Sequence, residues 1–279
     1  MVREKTWFIT GAGRGFGRVW AEAALERGDK VCATARNVDA LADLTARFPD
    51  TALALPLDVT DRDAVFDTVA AAHREFGRLD VVVNNAGFGQ MGAIEEVDEA
   101  RIRANFETNV FGTVSVIQAV LPILRAQGSG HIVNLSSVAG VVAVPTAGIY
   151  EGAKFAVEGI SEALAAEVRQ FGISVTILEP SGYATDFLSP SSLGEAEPMP
   201  VYDRLREELA ASLTSDSLGD PAASASAILA LVDAENPPLR LMLGNLLPMV
   251  KDVYAQRIAT WESWNDVALH AHGSMRAGS

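Results

Sequence analysis

The run from Thr6 to Arg27 restricts the fold more than any other. A short apolar stretch, TWFIT, enters the glycine-rich turn GAGRGFG and leaves it in a helical pattern that lasts until Gly28. Strand, tight turn and helix in that order open a βα unit, and such units build parallel sheets covered by helices on both faces. Gly11, Gly15 and Gly17 are spaced G-x-x-x-G-x-G, so the backbone can turn sharply and come close to a ligand. The first turn of the next helix offers N–H groups without helical partners, which suits a pyrophosphate. Alone, the glycines would equally suit an ordinary strand-to-helix turn; the flanking elements give them meaning.

The alternation then repeats along the chain. Apolar runs at Lys30 to Ala35, Thr51 to Leu57, Leu79 to Val83, His131 to Leu135, Ile173 to Leu178 and Leu239 to Leu243 read as strands. Helical patterns lie between them at Val38 to Arg47, Asp61 to Phe76, Glu99 to Leu124, around Tyr150, and from Asp220-Pro221 to Ala234. A last helix is expected at Val250 to Leu269, with Trp261 and Trp264 suited to packing rather than chemistry. The pattern predicts an α/β chain with one doubly wound, mainly parallel sheet and a single domain over 1–279. Within it, residues 186–218 read as a cover over the substrate, and residues 246–270 as the terminal helical segment. Phe187, Leu188, Leu193, Met199, Val201, Tyr202 and Leu205 are the candidates for lining the pocket beneath that cover.

Composition narrows the classes. With 279 residues, 49% of them hydrophobic and 21% charged, the chain can bury a sizeable core. No stretch approaches eighteen consecutive apolar residues, and the N-terminus lacks a signal-peptide pattern, so a cytoplasmic location is the default expectation. The lone Cys32 sits in a predicted buried strand and reads as core filler. Four scattered His and one Cys give no metal spacing. A formal charge of −14 argues against nucleic acid or an anionic membrane as partner.

The chemistry gathers in HIVNLSSVAGVVAVPTAGIYEGAKFAVEG, His131 to Gly159. Here a buried strand ends near Ser136 and Ser137, and the following helix carries Tyr150 and Lys154 one turn apart on a shared face. Ala153, Val157, Ile160, Leu164 and Val168 form the expected core stripe, with Tyr150 and Lys154 off it. A free phenol titrates at about 10, and a nearby ammonium is expected to bring it down, which would make Tyr150 a general acid and base. Ser137, thirteen residues upstream, is placed to orient a carbonyl oxygen toward the same phenol. A solvated helix face often carries Tyr-x-x-x-Lys by chance; strand, serine and pair together are more specific. Glu151 lies beside the phenol in sequence but, as its immediate neighbour on a helix, is expected to point away.

With these motifs the chain resembles the short-chain dehydrogenase/reductase family, closely over Thr6 to Phe187. The resemblance implies a Rossmann-like sheet of seven strands in the order 3-2-1-4-5-6-7 and a catalytic set of Asn109, Ser137, Tyr150 and Lys154. In such relatives an Asn at position 109 distorts its helix and holds a water linked to the lysine. Cofactor contacts are implied at Gly11, Gly13, Arg14, Gly15, Phe16 and Gly17, at Arg36, and at Asp58 and Val59 beside the adenine. Further contacts are implied at Asn85, Ala86 and Gly87 of the NNAG segment, at Tyr150 and Lys154, and at Pro180, Gly182 and Thr185 near the nicotinamide. Asp58 is equally read as the N-cap of the helix from Asp61. Gly13 and Ser181 depart from the residues most relatives carry, Ser and Gly.

The second strand ends in Ala35-Arg36, where an NAD-preferring fold places an acid for the ribose 2′-hydroxyl; Arg36 with Arg14 suits a 2′-phosphate, and so NADP (NADPH). The resulting expectation is a cytoplasmic NADP-dependent oxidoreductase of small carbonyl compounds and alcohols. It is expected to assemble as a homodimer or homotetramer through the helices that hold Asn109 and Tyr150. A catalytically silent cofactor sensor or scaffold, or a lyase or epimerase with the same groups, are the alternatives.

Overall fold

The computed structural model describes residues 3–189, 192–212 and 218–273. Contacts divide the chain into two units, Met1–Gly244 and Asn245–Ser279. The first contains nine strands among the described residues: β1 (Thr6–Ile9), β2 (Lys30–Ala35), β3 (Ala52–Pro56), β4 (Val81–Asn84), β5 (Gly89–Met91), β6 (Gly130–Leu135), β7 (Ile173–Pro180), β8 (Leu193–Glu195) and β9 (Arg240–Leu243). Seven form one parallel sheet in the order β3-β2-β1-β4-β6-β7-β9, while β5 and β8 pair separately. The sheet and its order are those the family resemblance implied. Order reverses between β1 and β4, and that reversal opens a crevice at their carboxyl ends.

Side chains of each strand point alternately to the two faces. Trp7 and Ile9 of β1 join one core cluster with Trp20 and Ala24 of α1 (Gly15–Arg27), while Phe8 joins the opposite cluster. That second cluster contains Val65 and Val69 of α3 (Arg62–Phe76), with α2 (Ala42–Arg47) lying between α1 and α3 in the chain. Both faces of the sheet are therefore dry, which explains why its strands are apolar runs instead of alternating patterns. Each fully buried Val, Leu, Ile or Phe contributes about 1.5–3 kcal/mol of transfer free energy.

The helix expected from Glu99 comprises α4 (Glu99–Phe106), a π-helical turn over Glu107–Gly112, and α5 (Thr113–Gln127). Contrary to the reading of apolar run length, this 29-residue helix is long and apolar enough by mean hydropathy to cross a membrane. However, 56% of its most apolar window is buried inside the fold, and Val116, Val120 and Leu124 pack into the core. It is a core helix.

Then come α6 (Gly148–Val168), α7 (Asp203–Ser212) and α8 (Ser224–Asp233), the last preceded by a turn in which Asp220 Oδ1 accepts the Ala222 N–H, the cap expected there. In the second unit, α9 (Leu247–Ser263) and α10 (Asn265–His272) replace the single helix expected. The break falls at Trp264, whose N–H is taken up by the carbonyls of Thr260 and Trp261.

Candidate active site

The glycine turn joins β1 to α1 at the crevice. Gly11 has φ +66°, and a Cβ there would lie 3.0 Å from Ala86 Cα, so only glycine fits both the conformation and the space. Asn85 fastens the turn: its Nδ2 donates to the carbonyls of Thr10 and Gly11 at 2.9 and 3.0 Å. The Thr10 hydroxyl accepts the N–H groups of Asn85 and Ala86, both at 3.0 Å. Asn85 thus shapes the turn through its side chain, and Phe16 stacks on Trp20 at 5.0 Å and meets Tyr183 edge-on at 4.9 Å.

Residues present here fit a dinucleotide. The N-cap of α1, Arg14, makes no capping bond with its side chain, whereas α3 and α4 are capped by Asp61 and Asp98. At Gly15 the turn is open: a Cβ there would stand 3.7 Å from Thr185 Cβ, so Thr185 faces the turn across the crevice. A Cβ on Gly13 would stand 3.4 Å from Ala35 Cβ, which brings the neighbours Arg14 and Arg36, both exposed, to the same corner.

Asp58 does not cap α3. Its Oδ1 accepts the N–H and hydroxyl of Thr60, while Asp61 Oδ1 accepts the Ala64 N–H at 3.0 Å, because the helix begins only at Arg62. Val59 is buried against Gly112. Pro180 offers its carbonyl to the Ser137 hydroxyl at 3.4 Å. Ser181 packs toward Gly244 and donates its N–H to the Leu243 carbonyl, and Gly182 accepts from the Gly219 N–H. The backbone after β7 is therefore tied down on its far side.

Asn109 lies buried in the π-helical turn. Its Oδ1 accepts the Phe88 N–H at 3.2 Å, and its Nδ2 donates to the carbonyls of Phe88 and Asn105 at 3.0 Å each. Lys154 is buried too, with Nζ donating to the Leu135 carbonyl at 2.7 Å. A Cβ on Gly87 would lie 3.7 Å from Lys154 Nζ and in collision with Asn109 Oδ1. Gly87, Asn109 and Lys154 meet at one point. One turn earlier on α6, the ring of Tyr150 lies 5.7 Å from Lys154 Nζ and 5.4 Å from the ring of Phe187, which comes from the covering segment. Ser137 caps the short turn Val138–Gly140, its Oγ accepting the Ala139 N–H at 3.1 Å.

The electrostatics differ from expectation. Burial pushes the Tyr150 phenol above its ordinary value; Ser137 pulls the other way and the charge of Glu151 adds to the rise. Desolvation outweighs the charges acting on the ring, so the lowering expected from Lys154 is not seen. Burial also brings the Lys154 ammonium down to about 8, with the Glu158 charge holding it up. Glu151 does not point away as expected: it turns inward, 3% exposed, with its Oε1 accepting the Val144 N–H at 2.7 Å, and its charge opposes ionisation of the phenol. Burial raises its carboxyl.

The sequence reading missed how much of the polar side of α6 is internal. Lys154, Glu158 and Ser161 are buried while Ile160, assigned to the core stripe, is only half-buried. Ser161 accepts from Asn134 Nδ2, and Asn134 Oδ1 accepts from Asn84 Nδ2, a buried polar chain across β4, β6 and α6. The signal was present: 154, 158 and 161 keep the helical spacing of a buried stripe. Glu96 was missed as well. Its side chain is 1% exposed and accepts the N–H groups of Ala93 and Met199, both at 2.7 Å, and Arg206 Nη1 at 2.6 Å. With Tyr202 donating to Glu95 and β5 pairing with β8, it fastens the cover to the body. Leu193 and Phe187 pack on Gly89; Met199 and Val201 are exposed, and residues 190, 191 and 213–217 of the expected cover lie outside the described residues. Among the described residues no group of His, Cys, Asp and Glu could hold a metal ion.

A doubly wound sheet, a glycine turn at its crevice and a tyrosine and lysine above it define an α/β oxidoreductase that takes a nicotinamide cofactor. The family model described as short chain dehydrogenase matches residues 5–196, and the chain belongs to that family. It is 43% identical over 270 residues to oxidoreductase BOA17 of Botryotinia fuckeliana, covering 95% of this chain and 98% of the relative. It is 35% identical over 251 residues to a 3-ketodihydrosphingosine reductase of Bacteroides thetaiotaomicron, covering 89% and 90%. Among solved structures, a short-chain dehydrogenase from Streptomyces avermitilis superposes with TM-score 0.89 at 40% identity over 95% of this chain and 98% of that one. A short chain dehydrogenase/reductase from Burkholderia phymatum in complex with NAD does so with TM-score 0.77 at 27% identity, covering 91% and 96%.

Proposed function

We propose that the chain is an NADP(H)-dependent oxidoreductase that interconverts a ketone or aldehyde and an alcohol. The observation that carries this reading is the meeting of Lys154 and Asn109 at Gly87, one helical turn from Tyr150 and beside the glycine turn. A pure binding protein has no use for a phenol, an ammonium and a buried amide converging there. A 3-ketodihydrosphingosine reductase among the relatives supports carbonyl reduction by its name.

The bound nicotinamide would supply the hydride in reduction and accept it in oxidation. Glycines 11, 13, 15 and 17, with Phe16 between them and the uncapped N-terminus of α1, would hold the pyrophosphate. Asp58 and Val59 would flank the adenine, and Asn85, Ala86 and Gly87 the nicotinamide ribose. Pro180, Gly182 and Thr185 would border the nicotinamide. Arg14 and Arg36 favour NADP over the NAD seen in the Burkholderia phymatum structure, since no acid stands at the end of β2.

Tyr150 would give the substrate oxygen its proton in the reductive direction, for which a neutral phenol is the required form. Ser137 would position that oxygen, and Lys154 would stabilise the charge that develops on the phenol and hold the ribose. Asn109 would support proton resupply through Lys154. Two or four copies joined through α4–α5 and α6 would cover Phe111 and Phe155, both exposed on those helices. Replacing Tyr150→Phe should lower kcat by about 10²-fold or more while NADPH binding, followed by its fluorescence, stays unchanged. Full activity of that variant on a purified ketone would overturn the reading, and NADPH binding without turnover across a broad carbonyl panel would favour a sensor.

A further inference from the structure

Two carboxylates that the proposed reaction does not use are buried beside it. Glu158, the turn after Lys154 on α6, is 6% exposed, and Glu179, the penultimate residue of β7, is 3% exposed. Arg240, at the start of β9, reaches both: its Nε lies 3.1 Å from Glu158 Oε2 and 3.5 Å from Glu179 Oε1. Its Nη2 bonds Glu162 on the helix surface at 2.6 Å. Burying charges is costly unless each is paired, and removing one partner strands the other. Here the pairing is incomplete, since Glu158 Oε1, Glu179 Oε1 and Ser136 Oγ have no hydrogen-bond partner among the described residues. A fold keeps such a cluster at a cost in stability.

Its position supplies a reason. Ser136 precedes Ser137, Glu179 precedes the Pro180 that accepts from Ser137, and Glu158 follows Lys154 by one turn. Gly140 brings Ser136, Glu158 and Lys154 together: the place of its missing Cβ is occupied by Ser136 Oγ, and lies 3.2 Å from both Glu158 Cγ and the Lys154 carbonyl. Lys154 itself faces the Leu135 carbonyl from β6, the Tyr150 ring and Glu158 from α6, and the amide of Asn109 near Gly87. Glu158 is the one negative charge acting on it in that set. Glu158 in turn faces Ser136, Arg240, Glu162 and Glu179.

We propose that Glu158 is a positioning residue for the reaction centre, whose carboxylate, held by Arg240 beside Glu179, supplies the charge that keeps Lys154 an ammonium. The role in a reaction rests on the reductase reading; the action of the Glu158 charge on Lys154, one helical turn away, does not. Burial lowers Lys154 to about 8 with Glu158 opposing; burial raises Glu158 itself, with Ser136 and Arg240 drawing it back toward the ionised form, and burial together with the charge of Glu158 pushes Glu179 up to about 7. Removing the Glu158 charge therefore releases the Lys154 proton at lower pH.

The test is to titrate Lys154 directly. The chain has only Lys5, Lys30, Lys154 and Lys251, so the full-length protein labelled with carbon-13 at lysine Cε gives few signals, and the one missing from Lys154→Arg is assigned. In Glu158→Gln the Lys154 midpoint should fall by roughly half a pH unit or more, as expected for losing a unit charge at short range in a protein interior. Glu162→Gln, at an exposed position, should leave it in place. The alkaline limb of kcat/KM for NADPH-dependent carbonyl reduction should move down with the midpoint. Should Glu158→Gln fold poorly, Glu158→Met removes the charge without stranding a polar group and is read in the same way. A variant that melts earlier yet keeps the wild-type Lys154 midpoint would make Glu158 merely structural and overturn the proposal. Wild-type protein that reduces no carbonyl would sink the reductase reading and Glu158's role in it, and the titration, which needs neither cofactor nor turnover, would still decide the charge pairing.

Discussion

At Gly87 one added carbon reaches two functional groups together, because its missing side chain is the space shared by Asn109 Oδ1 and Lys154 Nζ. Gly87→Ala should therefore lower kcat by about 10²-fold, the scale of an ångström-sized misplacement, with a much smaller change in the unfolding midpoint. Steady-state kinetics and a thermal melt on the same preparation separate the two effects. Arg36 is different: it is exposed, and its expected contribution is a charge-assisted bond to a 2′-phosphate. Arg36→Ala should raise KM for NADPH about 10–100-fold, equivalent to the ~1.5–3 kcal/mol of such a bond, and leave KM for NADH nearly unchanged. Equal losses for both cofactors would contradict the NADP assignment. Spacing alone revealed Tyr150 and Lys154, since a helix puts residues four apart on one face. It did not reveal the rise in the phenol's affinity for its proton, which comes from burial in the folded site with the charge of Glu151 adding to it.

Elements were legible to the extent that one period governs them. The strands are apolar because both faces are covered, and the sheet followed from their alternation with helices. Boundaries set by a single cap were less so: Asp58 and Asp61 are both good caps, and only the helix start at Arg62 chooses Asp61. In α6 the polar side is nearly as buried as the apolar one, a fact that no hydrophobic pattern expresses. The π-helical turn in the helix before it is where Asn109 bonds back to the Asn105 carbonyl and out to Phe88, consistent with an amide that competes for backbone groups. The cover is held by one residue that composition hides. Glu96 binds three donors from its own loop and from the cover, and those bonds keep its carboxyl below the usual range, the Met199 N–H acting most strongly, then Arg206. Glu96→Gln keeps the shape but loses the charge on Arg206. The cover should loosen, raising KM for the carbonyl substrate about tenfold with NADPH affinity unchanged. An unchanged substrate KM would show that the segment closes without this fastening.

For the molecule as a whole, acid lability can be assigned to the sheet end opposite the crevice. His131, at the second position of β6, is 7% exposed, and burial drives its pKa down to about 4, with the charge of Lys5 acting in the same direction. Its Nε2 lies 2.9 Å from the Thr176 hydroxyl, whose own proton goes to the Pro238 carbonyl at 2.6 Å. The hydroxyl must then accept, so Nε2 carries the hydrogen, and it is the burial-lowered pKa that leaves the ring neutral near pH 7. A native pKa below the unfolded value of 6.5 means that the unfolded chain binds a proton first as pH falls. The stability linked to His131 is thus complete above 6.5 and is lost progressively down to about 4, a loss on the order of 3 kcal/mol from a 2.5-unit difference. His131→Asn removes the titrating group while keeping an amide donor for Thr176. Its melting temperature should start below wild type at pH 7.5 and approach or cross it by pH 4.5. Parallel curves for the two proteins across that range would mean that His131 binds its proton equally well in the folded and unfolded chain, and the lowering by burial assigned here would be wrong.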